Sequence, residues 1–287
     1  MRLATLRSSD GGTHAARLDP DPTTATVLAD YPSVGHLLRQ EHWEEIARTA
    51  TGPRRVVRPQ DLAPVIPRPG KIVCVGLNYA RHIEEMGHKR PDVPTLFIKF
   101  PEALTRPYND VPLPPWTQQA ADFEGELAAD FEGELAVVIG TRARRVPAEA
   151  AAEHIAGYAI MNDYSLRDYQ YRTQQWHQGK SLERSSGFGP WLTTRDAFRP
   201  GAPLQTWLND APMQEARTDD LVFPPEALIE YISALYPLEP GDVIVTGTPA
   251  GVGHARSPKR YLRHGDTVRV RVEGLGEIAN TTIFEEE

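Results

Sequence analysis

The stretch Asp130-Phe-Glu-Gly-Glu-Leu-Ala-Val-Val-Ile-Gly140 decides how this chain is read. Its second half is a short apolar run rich in β-branched residues and closed by glycine, so it predicts a strand over 131–140. Successive strand side chains point to opposite faces, which puts Glu132 and Glu134 together and turns Phe131, Gly133, Leu135 and Val137 the other way, into apolar packing. Two carboxylates side by side repel unless a proton or a cation lies between them, and hard oxygen donors favour Mg²⁺, Mn²⁺ or Ca²⁺. A solvated strand face is the alternative at this point.

The octapeptide ADFEGELA occurs twice without a gap, at 121–128 and 129–136. Eight residues are too few for a solenoid unit. In one extended strand the two glutamate pairs would lie roughly 26 Å apart, so only one copy can serve a given site. The second copy runs directly into Val137-Val138-Ile139 and is expected to form the strand, with the first as a lead-in loop.

Around this strand the chain is ordinary globular protein, with 287 residues, 40% of them hydrophobic and 24% charged. A net charge of −8 argues against nucleic acid as the main partner. No apolar run approaches the ~18 residues of a membrane span, and no secretory leader is expected. Cys74 is the single cysteine, which excludes an intrachain disulfide or a cysteine-based metal site and fits a reducing cytoplasm.

Twenty-six prolines point to many turns and short strands. Prolines 64, 67 and 69 break both periodicities and place a boundary between a small N-terminal α/β module, 1–63, and a larger domain, 64–287. In the module we expect strands near Leu3–Arg7 and Ala25–Ala29 and one amphipathic helix from about Val34 to Ala47. In the larger part we expect a buried strand at Lys71–Gly76, a helix at Tyr79–Met86 and further strands from Leu96 to Ile283. A clear helix is expected at Pro225–Tyr236, with Leu228, Tyr231, Ile232 and Leu235 on one stripe. Strands outnumber helices without regular alternation, so the fold class is mixed α+β and β-rich.

Further candidates for chemistry follow. Asp163 ends an apolar strand and is either a helix cap or a third carboxylate ligand. If the next segment is helical, Asp163, Arg167 and Gln170 line one face. His82 and Glu85, one turn apart, make either a surface ion pair or a base with its orienting carboxylate. Lys180 precedes Ser185-Ser-Gly-Phe-Gly189 and is either an anion-binding lysine or a loop charge. Thr246-Gly-Thr-Pro-Ala-Gly-Val-Gly253 ends a strand in a turn whose N–H groups could bind a carboxylate; it is no phosphate loop, since no G-K-[ST] follows.

Six ordered segments then carry a resemblance: KIVCVGLNYARHIEEMG at 71–87, PTLFIKF at 94–100, DFEGELAVVIG at 130–140, GYAIMNDYSLRDYQ at 157–170, QGKS at 178–181 and TGTPAGVG at 246–253. Together they make the chain similar to the shorter, bacterial-type members of the fumarylacetoacetate hydrolase family. The resemblance implies a β-roll-like fold, a homodimer and one divalent cation, Mg²⁺ or Mn²⁺ with Ca²⁺ as a crystal substitute, held by Glu132, Glu134 and Asp163. It implies that His82 and Glu85 activate water, that Lys180 takes part in the chemistry, and that Lys99, Arg167, Gln170 and Thr248 contact a small keto acid. The implied activity is metal-dependent C–C bond hydrolysis of acylpyruvate or 1,3-diketo acids through an enolate. Decarboxylation or isomerisation of 2-oxo or 2-hydroxymuconate-type acids in aromatic catabolism is the alternative. A non-catalytic dimer with a disrupted site is the third reading.

Overall fold

The computed structural model describes residues 1–115 and 128–286, so 121–127 of the first octapeptide copy lie outside the described residues. The chain opens with β1 (Arg2–Arg7), β2 (Thr13–Leu18), β3 (Thr24–Leu28), α1 (Val34–Leu38), α2 (Trp43–Thr49) and β4 (Arg54–Val56). Next come β5 (Ile72–Gly76), α3 (Ala80–Glu85), β6 (Thr95–Ile98), β7 (Leu104–Thr105), β8 (Val111–Leu113), β9 (Ala129–Asp130) and β10 (Gly133–Ile139). They are followed by α4 (Ala148–Ala151), β11 (Ile155–Asn162), β12 (Ser165–Leu166), α5 (Arg167–Gln170), α6 (His177–Lys180) and β13 (Ser186–Thr194). The last elements are β14 (Pro203–Leu208), β15 (Ala211–Arg217), α7 (Pro225–Leu235), β16 (Val243–Val245), β17 (Thr267–Val272) and β18 (Gly276–Phe284).

These strands build an eleven-stranded sheet in the order β4-β3-β2-β1-β13-β11-β10-β16-β5-β6, with β7 added beside β13. A five-stranded sheet runs β15-β14-β17-β18-β8, and β9 pairs with β12 in a short ladder. The N-terminal strands join the large sheet through β1 and β13, where Leu3 faces Leu192. Thus the sheet continues across the proline-rich run at 64–70.

β10 sits in the middle of this sheet and is buried on both faces. Leu135, Val137 and Ile139 enter the core shared with Leu204, Val268, Val270 and Ile278 of the five-stranded sheet. Ala136 and Val138 enter a second core with Leu37 and Leu38 of α1 and Ile72 of β5. The alternation read from sequence therefore holds, although the regular strand begins at Gly133 rather than at Phe131. Glycine between the two glutamates has a packing reason: a Cβ there would lie 2.3 Å from Thr206 Oγ1 and 2.9 Å from Val270 Cγ1. Gly133→Ala is therefore expected to destabilise the protein by about 1–3 kcal/mol through overpacking, read as a lower midpoint in urea. An unchanged midpoint would show that the two sheets are not in close contact at this point.

Three expectations are corrected. The single helix over Val34–Ala47 is two helices, because Arg39 to Glu41 bring no apolar residue to the core and His42 takes a left-handed φ of 59°. On α7 the buried face is Leu228, Ile229, Ile232 and Ser233, while Leu235 is exposed. The helix is turned that way because it docks on residues 143–146, where the Ser233 hydroxyl accepts the Val146 N–H at 3.0 Å. Asp163, Arg167 and Gln170 do not share a helix face, since Ser165 and Leu166 are drawn into β12 by pairing with Asp130 and Ala129. Asp163 is accordingly not a helix cap.

Candidate active site

Three carboxylates meet where β10, the end of β11 and α6 converge. One oxygen from each of Glu132, Glu134 and Asp163 lies within 4.8 Å of the others, and all three residues are buried. The second octapeptide copy supplies both glutamates.

Cations surround the cluster. Lys180 Nζ donates to Glu132 Oε2 at 2.7 Å and to Asp163 Oδ2 at 2.9 Å. Lys99 Nζ lies 2.9 Å from Asp163 Oδ1, off the direction of a hydrogen bond, and donates to the carbonyl of Lys180. Lys99 is thus stacked behind Asp163, away from the residues that line the cavity below. Arg167 Nη1 lies 2.6 Å from Glu132 Oε1 and donates to Gln170 Oε1 at 2.8 Å. Burial opposes ionisation of Glu132, but Lys180 and Arg167 outweigh it and hold this carboxyl well below the usual range. Glu134 behaves oppositely: burial, Asp163 and Glu132 push its carboxyl well above the ordinary value, against the pull of Lys180 and of the Gly247 N–H at 2.5 Å.

The donor set fits a divalent metal ion. It consists of carboxylate oxygens only, the hard donors that Mg²⁺ and Mn²⁺ prefer. Asp163 Oδ1 accepts no hydrogen bond among the described residues, and the raised Glu134 carboxyl marks a surplus of negative charge. With Asp130, which is paired to Arg167, four carboxylates stand against the three cations Lys99, Lys180 and Arg167. The surplus of one negative charge becomes one positive charge when a divalent ion is added, which suits an anionic substrate.

The cluster opens into a cavity of about 140 Å³ lined by His82, Glu132, Glu134, Arg167, Gln170, Lys180 and Thr248, with Phe97, Trp176, Met86 and Val252 as its apolar wall. Larger surface grooves lie at Trp43 with Arg142, and at Tyr158 with Arg195, but neither is lined by a comparable carboxylate cluster. His82 is 7% exposed and approaches Glu85 Oε2 at 3.1 Å through Nδ1. Glu85 also accepts the Gly251 N–H at 3.0 and 3.1 Å. Burial raises the Glu85 carboxyl, yet these donors overcome it and keep it below its ordinary value. A charged Glu85 accepts a hydrogen bond from Nδ1–H and leaves Nε2 of His82 as the acceptor nitrogen, an assignment made from the hydrogen bond.

The Thr246–Gly253 turn ties the site together. Gly247 N–H binds Glu134, Thr248 Oγ1 donates to the carbonyl of Gly133 at 3.2 Å, and Gly251 N–H binds Glu85. Gln214 on β15 clasps the same turn, donating to Thr248 Oγ1 and Pro249 O while its Oε1 accepts the Gly133 N–H at 3.0 Å. Sequence reading missed Gln214, because its partners lie 81 and 34 residues away. It also missed Asp130, although Asp130, Glu132 and Glu134 follow a period of two that could have revealed it.

A β-rich fold that presents a buried carboxylate cluster able to hold a divalent metal ion beside a histidine–carboxylate pair has the parts of an enzyme active site. Residues 71–283 match the family described as "Fumarylacetoacetate (FAA) hydrolase C-terminal", and the chain belongs to the fumarylacetoacetate hydrolase family. It is 36% identical over 286 residues to the oxaloacetate tautomerase FAHD2A, mitochondrial, of Bos taurus, covering 97% of this chain and 86% of that one. The fumarylacetoacetate hydrolase of psychrophilic Exiguobacterium antarcticum superimposes with a TM-score of 0.85 at 31% identity, covering 99% of this chain and all of that one. A maleylpyruvate hydrolase from Sphingobium sp. SYK-6, solved with manganese(II) and pyruvate, does so at 0.78 and 27% identity, covering both chains fully. Among the described residues no helix is long and apolar enough to cross a membrane.

Proposed function

We propose that the protein is a divalent-metal-dependent enzyme that interconverts the keto and enol forms of a small 2-oxo diacid of the oxaloacetate type. The observation that carries this reading is the His82–Glu85 pair beside the Glu132, Glu134 and Asp163 cluster in a cavity of about 140 Å³. Such a volume lies below the 300–1,000 Å³ typical of drug-sized ligands and suits an acid of few carbons. The relationship to an oxaloacetate tautomerase along nearly the whole chain supports the same choice.

Glu132, Glu134 and Asp163 would hold Mg²⁺ or Mn²⁺, which when bound supplies Lewis-acid polarisation of the 2-oxo group. The protein's own groups do the rest. Nε2 of His82 takes a proton from C3 of the keto acid and returns it to solvent, while the C2 oxygen gains one from solvent; the reverse transfer restores the ketone. Lys180 and Arg167 lower the energy of the negative charge that develops on that oxygen. Gln170 and Thr248 line the cavity and orient the acid. The apolar wall of Phe97, Trp176, Met86 and Val252 lowers the local polarity and strengthens these charge interactions.

C–C bond hydrolysis of an acylpyruvate is the second reading, favoured by one observation. Glu85 is fixed by the Gly251 N–H as well as by His82, the base-and-orienter arrangement that activation of a water would use. A homodimer, which rests on the family resemblance alone, and a cytoplasmic location, which rests on the single cysteine, are part of the same proposal.

The deciding experiment follows enol loss from oxaloacetate in parallel with cleavage of acetylpyruvate and maleylpyruvate, each with Mg²⁺, Mn²⁺ and an EDTA control. Metal-dependent tautomerisation without cleavage is expected. Cleavage of either acylpyruvate faster than tautomerisation would overturn the leading reading in favour of the hydrolase.

A further inference from the structure

Asp130 is fully buried and is not among the residues that line the 140 Å³ cavity, yet both its oxygens are saturated. Oδ1 accepts the N–H groups of Phe131 at 2.9 Å and Gly253 at 2.8 Å. Oδ2 accepts the His254 N–H at 2.9 Å and meets both Nε and Nη2 of Arg167 at 2.9 Å. The remaining nitrogen of that guanidinium, Nη1, is the one directed at Glu132 and Gln170. The backbones are fixed as well, since Ser165 pairs with Asp130 across the β9–β12 ladder and the Arg167 N–H donates to Ala128 O at 2.8 Å.

We infer that Asp130 is a positioning residue: by holding and neutralising Arg167 it determines how much of the Glu132 charge remains for the divalent cation. The inference rests on the reading of Glu132, Glu134 and Asp163 as metal ligands. With Asp130 ionised, Arg167 shares its charge between two carboxylates. Without that charge the whole guanidinium interaction falls on Glu132 Oε1, 2.6 Å away, in direct competition with the metal. Asp130 lies two residues before Glu132 in the same octapeptide copy, so one eight-residue segment provides two candidate ligands and the residue that regulates one of them. A purely structural Asp130 would act instead through the Gly253–His254 turn.

Calorimetric titration of metal-stripped full-length protein with Mn²⁺ separates the two roles in four forms: wild type, Asp130→Asn, Arg167→Met and the double variant. Outer-shell partners of metal ligands typically change affinity 10–100-fold, and we expect Asp130→Asn to raise the Mn²⁺ Kd about 10-fold or more. In the Arg167→Met background the same substitution should change Kd less than about 2-fold, because the residue it acts through is gone. Equal affinity of wild type and Asp130→Asn overturns the inference alone, as does an Asp130→Asn effect that persists without Arg167. A wild type that binds no Mn²⁺ overturns the metal reading and this inference with it. If Asp130→Asn fails to fold while the double variant folds, the Mn²⁺ Kd of the double variant against Arg167→Met decides: a change under about 2-fold supports the inference and a larger one overturns it. If both fail to fold, Asp130 serves the turn and the inference falls.

Discussion

Asp163→Ala is expected to abolish divalent-metal binding and turnover together, and to lower thermal stability. Asp163 is fully buried and holds two ammonium groups, Lys99 at Oδ1 and Lys180 at Oδ2, each at 2.9 Å. Removing one partner of a buried ion pair leaves an uncompensated charge and costs about 3–5 kcal/mol. At roughly 2–4 °C per kcal/mol for a chain of this order of size, the melting temperature should fall by on the order of 10 °C. The metal effect is separate from the loss of stability. With Asp163 gone, Glu132 and Glu134 remain, and Glu132 is claimed by both Lys180 and Arg167. Asp163→Asn, which keeps the volume and one acceptor oxygen, separates the two effects. It should retain near-native circular dichroism in the aromatic region and still bind no Mn²⁺ by calorimetry. Stoichiometric Mn²⁺ in either folded variant would remove Asp163 from the ligand set.

What the sequence discloses about this site is what local period can carry. The alternation of Thr267–Val272 predicts a strand and β17 occupies those residues, and the parity of Phe131 to Val138 puts the two glutamates opposite the Leu135 face. Both features follow from alternation within one strand and need no knowledge of the neighbours. The Asp163–Gln170 segment was misread for the opposite reason. Its i, i+4, i+7 spacing is real, but the β9–β12 ladder pairs Ser165 with Asp130, 35 residues earlier, and long-range pairing overrides local preference. Arg167 and Glu132 still meet, by a route the helical pattern did not contain. Lys99 makes the same point. The motif PTLFIKF marks it as unusual, a lysine in an apolar run, but only the packing of β6 against α6 and the ion pair it permits show that its ammonium faces Asp163. Gln214 carries no local signal, since a glutamine on an edge strand is ordinary until the fold sets it against Gly133 and Thr248.

The second large effect is on rate rather than on binding. His82→Ala should leave Mn²⁺ affinity within about 2-fold of wild type, because among the described residues the imidazole is hydrogen-bonded to Glu85 and not to an oxygen of the metal cluster; Glu85 keeps its Gly251 donor and the turn stays in place. Turnover of oxaloacetate enol should fall by about 10²–10⁴, the usual contribution of a positioned general base. His82→Gln is the companion variant, since it preserves a polar contact toward Glu85 without a basic nitrogen and should be equally slow. Glu85→Gln should be milder, about 10-fold, as it weakens the orientation of His82 without removing it. The contrast between substrates makes the pair informative. Under the tautomerase reading His82 handles the C3 proton, so tautomerisation collapses in both His82 variants. Under the hydrolase reading His82 handles water, so acylpyruvate cleavage collapses while enol–keto exchange, which needs no attacking water, survives. Full tautomerase activity in His82→Ala would therefore assign the C3 proton to another group lining the cavity, with the Lys180 ammonium, 2.7 Å from Glu132, as the group to vary next.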